Sequence, residues 1–309
     1  MSQGLSQDRE EDESVMFSCR LDNAKAVTTI LSCLSHGTRK DQHAQCEVNP
    51  DGLTFVVTGK AKFTQAQGSL GRELFQDFDC DGDGGKFGIN LTTLLECLQI
   101  FGTSSLAQTS VSMAYQEGRT LFRLTLEEGG VFTSCEIRTV YQDEEAMEFS
   151  ALAKAFTSRE VTCKCILKSE YLKEAFQELA DVNGATCVTV VFGNTAPNLM
   201  LSASGSIGSS EIDFPKTSEA LITFDCQIPQ VSWTYLMAGM EVGMRALPHA
   251  DETYFRVNEE GILCIQHQIP MNLGQTSYVD VLICPDAPEE EDDDGMEDTR
   301  IPEGDQEED

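Results

Sequence analysis

Val15, Phe17, Cys19 and Leu21 alternate with other residues, and the alternation returns 146 positions later at Val161, Cys163, Cys165 and Leu167. A period of two marks a half-buried strand. Each run is followed by an apolar stripe at helical spacing: Ala26, Val27, Ile30, Leu31 and Leu34 after the first, Leu172, Ala175, Phe176 and Leu179 after the second. Asp22 and Ser169 stand where a side chain caps a helix. More of the unit recurs. Strand-like runs at 45–48 and 53–58 are joined by the turn Asn49-Pro50-Asp51-Gly52, and runs at 186–192 and 198–204 follow the later helix. A second helix is expected over 91–101 behind Asn90, with a weaker counterpart opening near Pro229 and running through Trp233 and Leu236. Phe122 and Arg123 before Glu127-Glu128-Gly129-Gly130 match Phe255 and Arg256 before Glu259-Glu260-Gly261 at a shorter offset, 133. A chain built twice from one unit has to bury each copy in the same way. Striped helices need a sheet beneath them, so the expected class is α+β: two similar domains, each a β-sheet with two helices. The expected boundaries are 15–140 and 160–285, with 141–159 as a connector crossing the surface.

Charge narrows the function. Lys+Arg 21 against Asp+Glu 52 leaves a formal net charge of −31 over 309 residues. Residues 285–309 hold 14 acids and one Arg, and residues 1–14 hold five acids and one Arg. Both ends, 1–14 and 286–309, lack apolar periodicity and are expected to be disordered. The remainder still carries about −14, which disfavours a continuous basic face for nucleic acid or anionic lipid. No apolar run approaches the roughly 18 residues of a membrane span. The polar start reads as no signal peptide. The twelve cysteines include no C-x-x-C pair, and Cys19, Cys163, Cys165, Cys187 and Cys264 sit in apolar alternation. They read as core thiols in a reducing compartment.

Three motifs suggest chemistry that their surroundings do not support. Asp79, Asp81, Asp83 and Gly84 begin a calcium loop, but Asn90 stands where the bidentate Glu belongs and Lys86 interrupts it. A polar hairpin loop is the simpler expectation. Asn90-Leu91-Thr92 spells a glycosylation acceptor and equally a helix cap. The four His (His36, His43, His249, His267) lack ligand spacing, and no nucleophile elbow, phosphate loop or dinucleotide fingerprint occurs. No cofactor, metal or catalytic residue is expected.

Several segments resemble the DNA sliding-clamp (PCNA-like) family. Gly88-Ile89-Asn90-Leu91-Thr92 opens the second helix as the clamp's G-[VI]-N-L-T does. Leu201 to Gly208 resembles the clamp's S-A-S-G-x-[LI]-G turn, and Asp280 to Pro285 before an acidic tail is also clamp-like. The runs 87–102, 122–137 and 167–179 are similar to the Rad-one class of subunits of the heterotrimeric checkpoint clamp, the nine-one-one ring. The likeness covers about 15–285.

The resemblance implies a non-catalytic subunit of a three-chain ring, with helices lining the hole and sheets outside. It would be placed on DNA at damage sites by an ATP-driven clamp loader, in the nucleus, as a platform for checkpoint and repair proteins. Its partners would be two other clamp subunits, duplex DNA held by encirclement, and no membrane. By clamp position, the edge strands would be 131–140 and 207–214, with Phe132, Ser134, Glu136, Arg138, Ile207, Ser209, Glu211 and Asp213 at subunit interfaces. Met147, Phe149, Leu152 and Phe156 would belong to the connector. Replicative clamps put Lys or Arg on their DNA-facing helices; here the matching positions are Thr28, Thr29, Glu96, Gln99, Glu174 and Gln177. Lys25, Lys168 and Lys173 are the candidate DNA-facing cations. Such a lining favours a mixed ring over a homotrimeric replication clamp. A 3′→5′ exonuclease lacks its metal cluster in this sequence, and an acidic chaperone would explain the tails but not the repeated body.

Overall fold

The computed structural model describes residues 15–35, 41–59, 63–116, 120–140, 151–271 and 274–286. The first half runs β1 (Val15–Leu21), α1 (Lys25–Leu34), β2 (His43–Asn49), β3 (Gly52–Thr58), β4 (Thr64–Gly71), β5 (Asp77–Cys80), β6 (Gly85–Asn90), α2 (Leu91–Leu98), β7 (Ser110–Gln116), β8 (Leu121–Glu128) and β9 (Val131–Val140). A short helix, α3 (Ala151–Thr157), follows. The second half runs β10 (Val161–Lys168), α4 (Ser169–Ala180), β11 (Cys187–Gly193), β12 (Leu199–Ser204), β13 (Ser209–Phe214), β14 (Leu221–Cys226), β15 (Gln230–Leu236), α5 (Met237–Gly243), β16 (Glu252–Asn258), β17 (Leu263–Pro270) and β18 (Thr276–Ile283). All described strand pairs are antiparallel.

The pairing repeats as well as the order. In the first half the ladders are β5-β1-β7-β8-β9 and β4-β3-β2-β6; in the second they are β14-β10-β16-β17-β18 and β13-β12-β11-β15. One contact joins the halves. β18 pairs with β4, placing Tyr278 opposite Ser69, Asp280 opposite Gln67 and Leu282 opposite Gln65; together with the short β6–β9 pairing in the first half, this makes fourteen strands one continuous sheet. The core follows the alternation: Phe17, Cys19 and Leu21 on β1 and Cys163, Cys165 and Leu167 on β10 are buried. The helices contribute Val27, Ile30, Leu31 and Leu34 from α1 and Leu172, Ala175, Phe176 and Leu179 from α4 to the same apolar body. All twelve cysteines are free thiols. Burial pushes Cys19, Cys33 and Cys163 up to about 12, so these sulfurs act as small apolar groups.

Four local expectations need correction. The segment from Gln230 to Leu236 is a strand, and the helix begins only at Met237. Val231, Trp233 and Tyr235 alternate, which is a strand's period, whereas Trp233 and Leu236 alone imitate a helical one. The 133-residue match joins unlike places: Glu127-Glu128-Gly129-Gly130 turns β8 into β9, but Glu259-Glu260-Gly261 turns β16 into β17. Neither Asp22 nor Ser169 caps a helix. Asp22 accepts a hydrogen bond from Gln76 Nε2. The acidic loop at 81–84 is no hairpin, because β5 pairs with β1 while β6 pairs with β2 and β9. Asn90 does cap α2, its Oδ1 accepting from Thr93 N–H at 2.8 Å.

Ser169 is instead the end of a buried polar chain. Its Oγ lies 2.8 Å from Thr253 Oγ1, which lies 2.9 Å from His267 Nδ1, and His267 Nε2 lies 2.6 Å from the Gly243 carbonyl. The neutral ring satisfies this: Nε2–H donates to Gly243 and Nδ1 accepts from Thr253. The chain ties together α4, β16, β17 and the end of α5. Burial lowers His267 from its ordinary 6.5 to about 4. Below pH 6.5 the unfolded chain gains a proton that the folded chain refuses, so stability falls as pH drops from 6.5 to about 4. The loss attributable to His267 is about 3 kcal/mol. Urea unfolding at pH 7 and pH 4.5 should show that His267→Gln removes this part of the pH dependence.

Candidate functional site

Two sheet edges carry the arrangement most able to bind another chain. β9 leaves β8 through a two-residue turn at Gly129 and Gly130, both with positive φ (57° and 82°), which only glycine adopts readily. Such a turn makes Glu128 and Val131 a hydrogen-bonded pair, and the alternation then sends every odd residue of β9 toward β8. Thr139 N–H to Thr120 O, 2.8 Å, fits this parity. The backbone groups of Phe132, Ser134, Glu136 and Arg138 therefore point away from β8. Beyond them β9 meets β6 only at Thr139 and Val140. Phe132 is 68% exposed and Val131 58%, large values for apolar side chains in a strand.

β13 is the outer strand of its four-stranded sheet. Gly205 N–H donates to Gly208 O at 2.8 Å, closing the turn that holds Ser206 and Ile207. Counting from that pair, Ser209, Glu211 and Asp213 turn their backbone groups away from β12. Ile207 lies in the turn, before the strand begins, and is 81% exposed.

α3 has seven residues, too short to persist alone in water. Docking holds it. Phe156 is buried against Ile262, Cys264 and Leu282, with Leu152 half-buried beside them. The Arg256 guanidinium sits 5.7 Å from the Phe156 ring centroid, and Arg159 bonds Glu260 at 2.6 Å. A cavity of about 150 Å³ opens between α3 and the β4–β18 junction, floored by Gln65, Gln67, Asp280 and Leu282. Met147 and Phe149 lie outside the described residues. Phe156→Ala should cost about 3 kcal/mol of α3 docking. Hydrogen exchange would then quicken at 151–157 while the β16–β18 amides keep their protection.

The Rad1/Rec1/Rad17 repair-protein profile matches residues 16–269. The chain belongs to that family. It is 34% identical to the cell cycle checkpoint protein RAD1 of Homo sapiens over 280 residues, covering 90% of this chain and 94% of that one. It is 25% identical to the DNA damage checkpoint control protein rad1 of Schizosaccharomyces pombe, covering 87% and 86%. The checkpoint RAD1 homologue mrt-2 of Caenorhabditis elegans is 26% identical over 66% of this chain.

On the helices of this Rad1-family chain the exposed charge is mostly negative. Lys25 on α1, Lys154 on α3 and Lys173 on α4 are exposed, while Lys168 just before α4 is half-buried, its Nζ 5.8 Å from the Tyr171 ring centroid. Against them stand exposed Glu96 on α2, Glu170, Glu174 and Glu178 on α4, and Glu241 on α5. Thr28, placed among the helix-surface positions by sequence, is 4% exposed and faces the core. Gln99 falls just beyond the end of α2. Among the described residues no three His, Cys, Asp or Glu side chains gather as metal ligands would.

Proposed function

We propose that this chain is a non-catalytic subunit of a heterotrimeric checkpoint clamp that encircles DNA at damage sites in the nucleus and carries signalling and repair proteins there. Family membership supports the checkpoint role: the relatives bear checkpoint names. One observation carries the ring. β18 of the second half pairs with β4 of the first, and the equivalent strands, β9 and β13, are left with open backbone on the corresponding edges. A neighbour pairing with each would repeat the internal seam between molecules. Three two-domain chains would then close with the β9 and β13 edges covered. Residues 15–140 and 160–285 are the two domains of this reading, and 141–159 the connector. The acidic helix faces favour neighbours that supply most phosphate contacts. An ATP-driven loader would open the ring.

Light scattering on the purified chain, alone and with candidate clamp subunits, tests the reading. A monomer that joins a 1:1:1 complex supports it. A stable homotrimer would indicate a replication-type clamp and overturn it.

A further inference from the structure

The internal seam contains a register that transfers to the free edges. Through the ladders, Leu124↔Cys135 corresponds to Ile265↔Val281, and Phe55↔Gly68 to Leu201↔Ile212. Asp280, Tyr278 and Leu282 on β18 then correspond to Ser134, Phe132 and Glu136 on β9. Gln67, Ser69 and Gln65 on β4 correspond to Glu211, Asp213 and Ser209 on β13. Parity agrees with this transfer. Cys284 N–H donates to Phe63 O at 2.8 Å, so 278, 280 and 282 bond across the internal seam, and their counterparts 132, 134 and 136 are the outward residues of β9. A seam between molecules would therefore set a residue at position 134 opposite Glu211, and one at position 132 opposite Asp213.

In the internal seam the carboxylate at this place is answered. Asp280 accepts from Gln67 Nε2 at 3.0 Å, across the seam, and from Gln266 Nε2 at 2.7 Å. At the outer seam the carboxylates move to β13, and the residues this chain could offer from its own β9 are Ser134 and Phe132. Neither brings a cation or an amide. Glu136 would face Ser209, and its nearby cation, Arg123, already pairs with it at 3.4 Å.

We propose that the β13 edge selects its neighbour by charge: it takes an antiparallel edge strand bearing Lys, Arg or amide side chains opposite Glu211 and Asp213, and it discriminates against a second copy of this chain. This rests on the ring reading above and adds partner chemistry to it. Discrimination arises because self-pairing sets Asp213 opposite Phe132, which has no donor, and offers Glu211 only the Ser134 hydroxyl rather than a cation or amide. An opposite-charge pair at each position would be favourable.

The test uses the full chain as its own probe. Cys135 and Ser210 face each other in the transferred register as a non-hydrogen-bonded pair, where β-carbons approach closely enough for a disulfide. Ser210→Cys supplies the second thiol. Oxidised glutathione serves as oxidant: two thiols lose two protons and two electrons, and the reagent leaves as two glutathione thiols. Peptide mapping separates the intermolecular link between 135 and 210 from an internal one between Cys135 and Cys97, which lie close enough for Cys135 to add to the burial that pushes the Cys97 thiol up. Adding Phe132→Lys and Ser134→Lys to Ser210→Cys should speed the intermolecular link about tenfold at low salt. The gain should vanish in 1 M NaCl, where the Debye length is about 3 Å. If both proteins link equally fast, the ring register stands and charge selection is overturned. If neither forms the 135–210 link at millimolar concentration, the transferred register fails and the ring reading with it.

Discussion

Ser134→Pro and Glu211→Pro should each leave the monomer folded and weaken its entry into a heterotrimer about ten- to a hundredfold. The expectation comes from backbone parity rather than from side chains. Ser134 and Glu211 turn their N–H groups away from their ladder partners on β8 and β12. Proline there removes a donor that the monomer does not use and adds ring atoms on the side a neighbour must approach. The neighbour's carbonyl is left buried without a donor, a loss of about 1–3 kcal/mol per seam. Thr133→Pro provides the contrast. Its N–H points into the β8 ladder, so this change should lower monomer stability instead. Circular dichroism melts and titrations with partner subunits separate the two effects. Normal assembly by both outward variants would remove β9 and β13 from the interface.

The strands β1 and β10 are legible in the sequence because period-two burial is local, and so is the cap at Asn90. α5 is not legible. It spans seven residues and holds Gly239 and Gly243, poor helix formers. These glycines are there because the sheet comes close: a β-carbon on Gly243 would lie 2.8 Å from Ile265 Cδ1, and one on Gly239 3.0 Å from Ile283 Cγ2. The stripe that announces a helix is thus replaced by contact with strands far along the chain. The Ser169–Thr253–His267 chain was equally invisible, since its members are 84 and 14 positions apart. The seam register needs both ladders at once. Composition misled where it repeated without topology, as with the Glu-Glu-Gly turns of two non-equivalent hairpins.

The isolated chain should bind duplex DNA more weakly than about 10⁻⁴ M at 0.15 M salt, the weak end of non-specific binding. Its net charge is −31, and the field of that sign repels the duplex at long range. At short range the helices offer little compensation. Exposed Lys25, Lys154 and Lys173 are outnumbered by Glu96, Glu170, Glu174, Glu178 and Glu241, and Lys168 is half-buried beside Tyr171. Even if Lys25, Lys168 and Lys173 all met phosphates, the log–log salt slope would be only about −2.7. An assembled ring has a different requirement, because a closed ring stays on circular DNA without affinity. Lys25→Glu, Lys168→Glu and Lys173→Glu together should therefore leave assembly unchanged. They should flatten the salt dependence of the ring's DNA contact by up to about 2.7 in slope, shortening its lifetime on linear DNA with open ends. Retention on circles should fall much less. Tight binding by the lone monomer would contradict the charge argument. An unchanged salt slope in the triple variant would show that these lysines do not face the duplex.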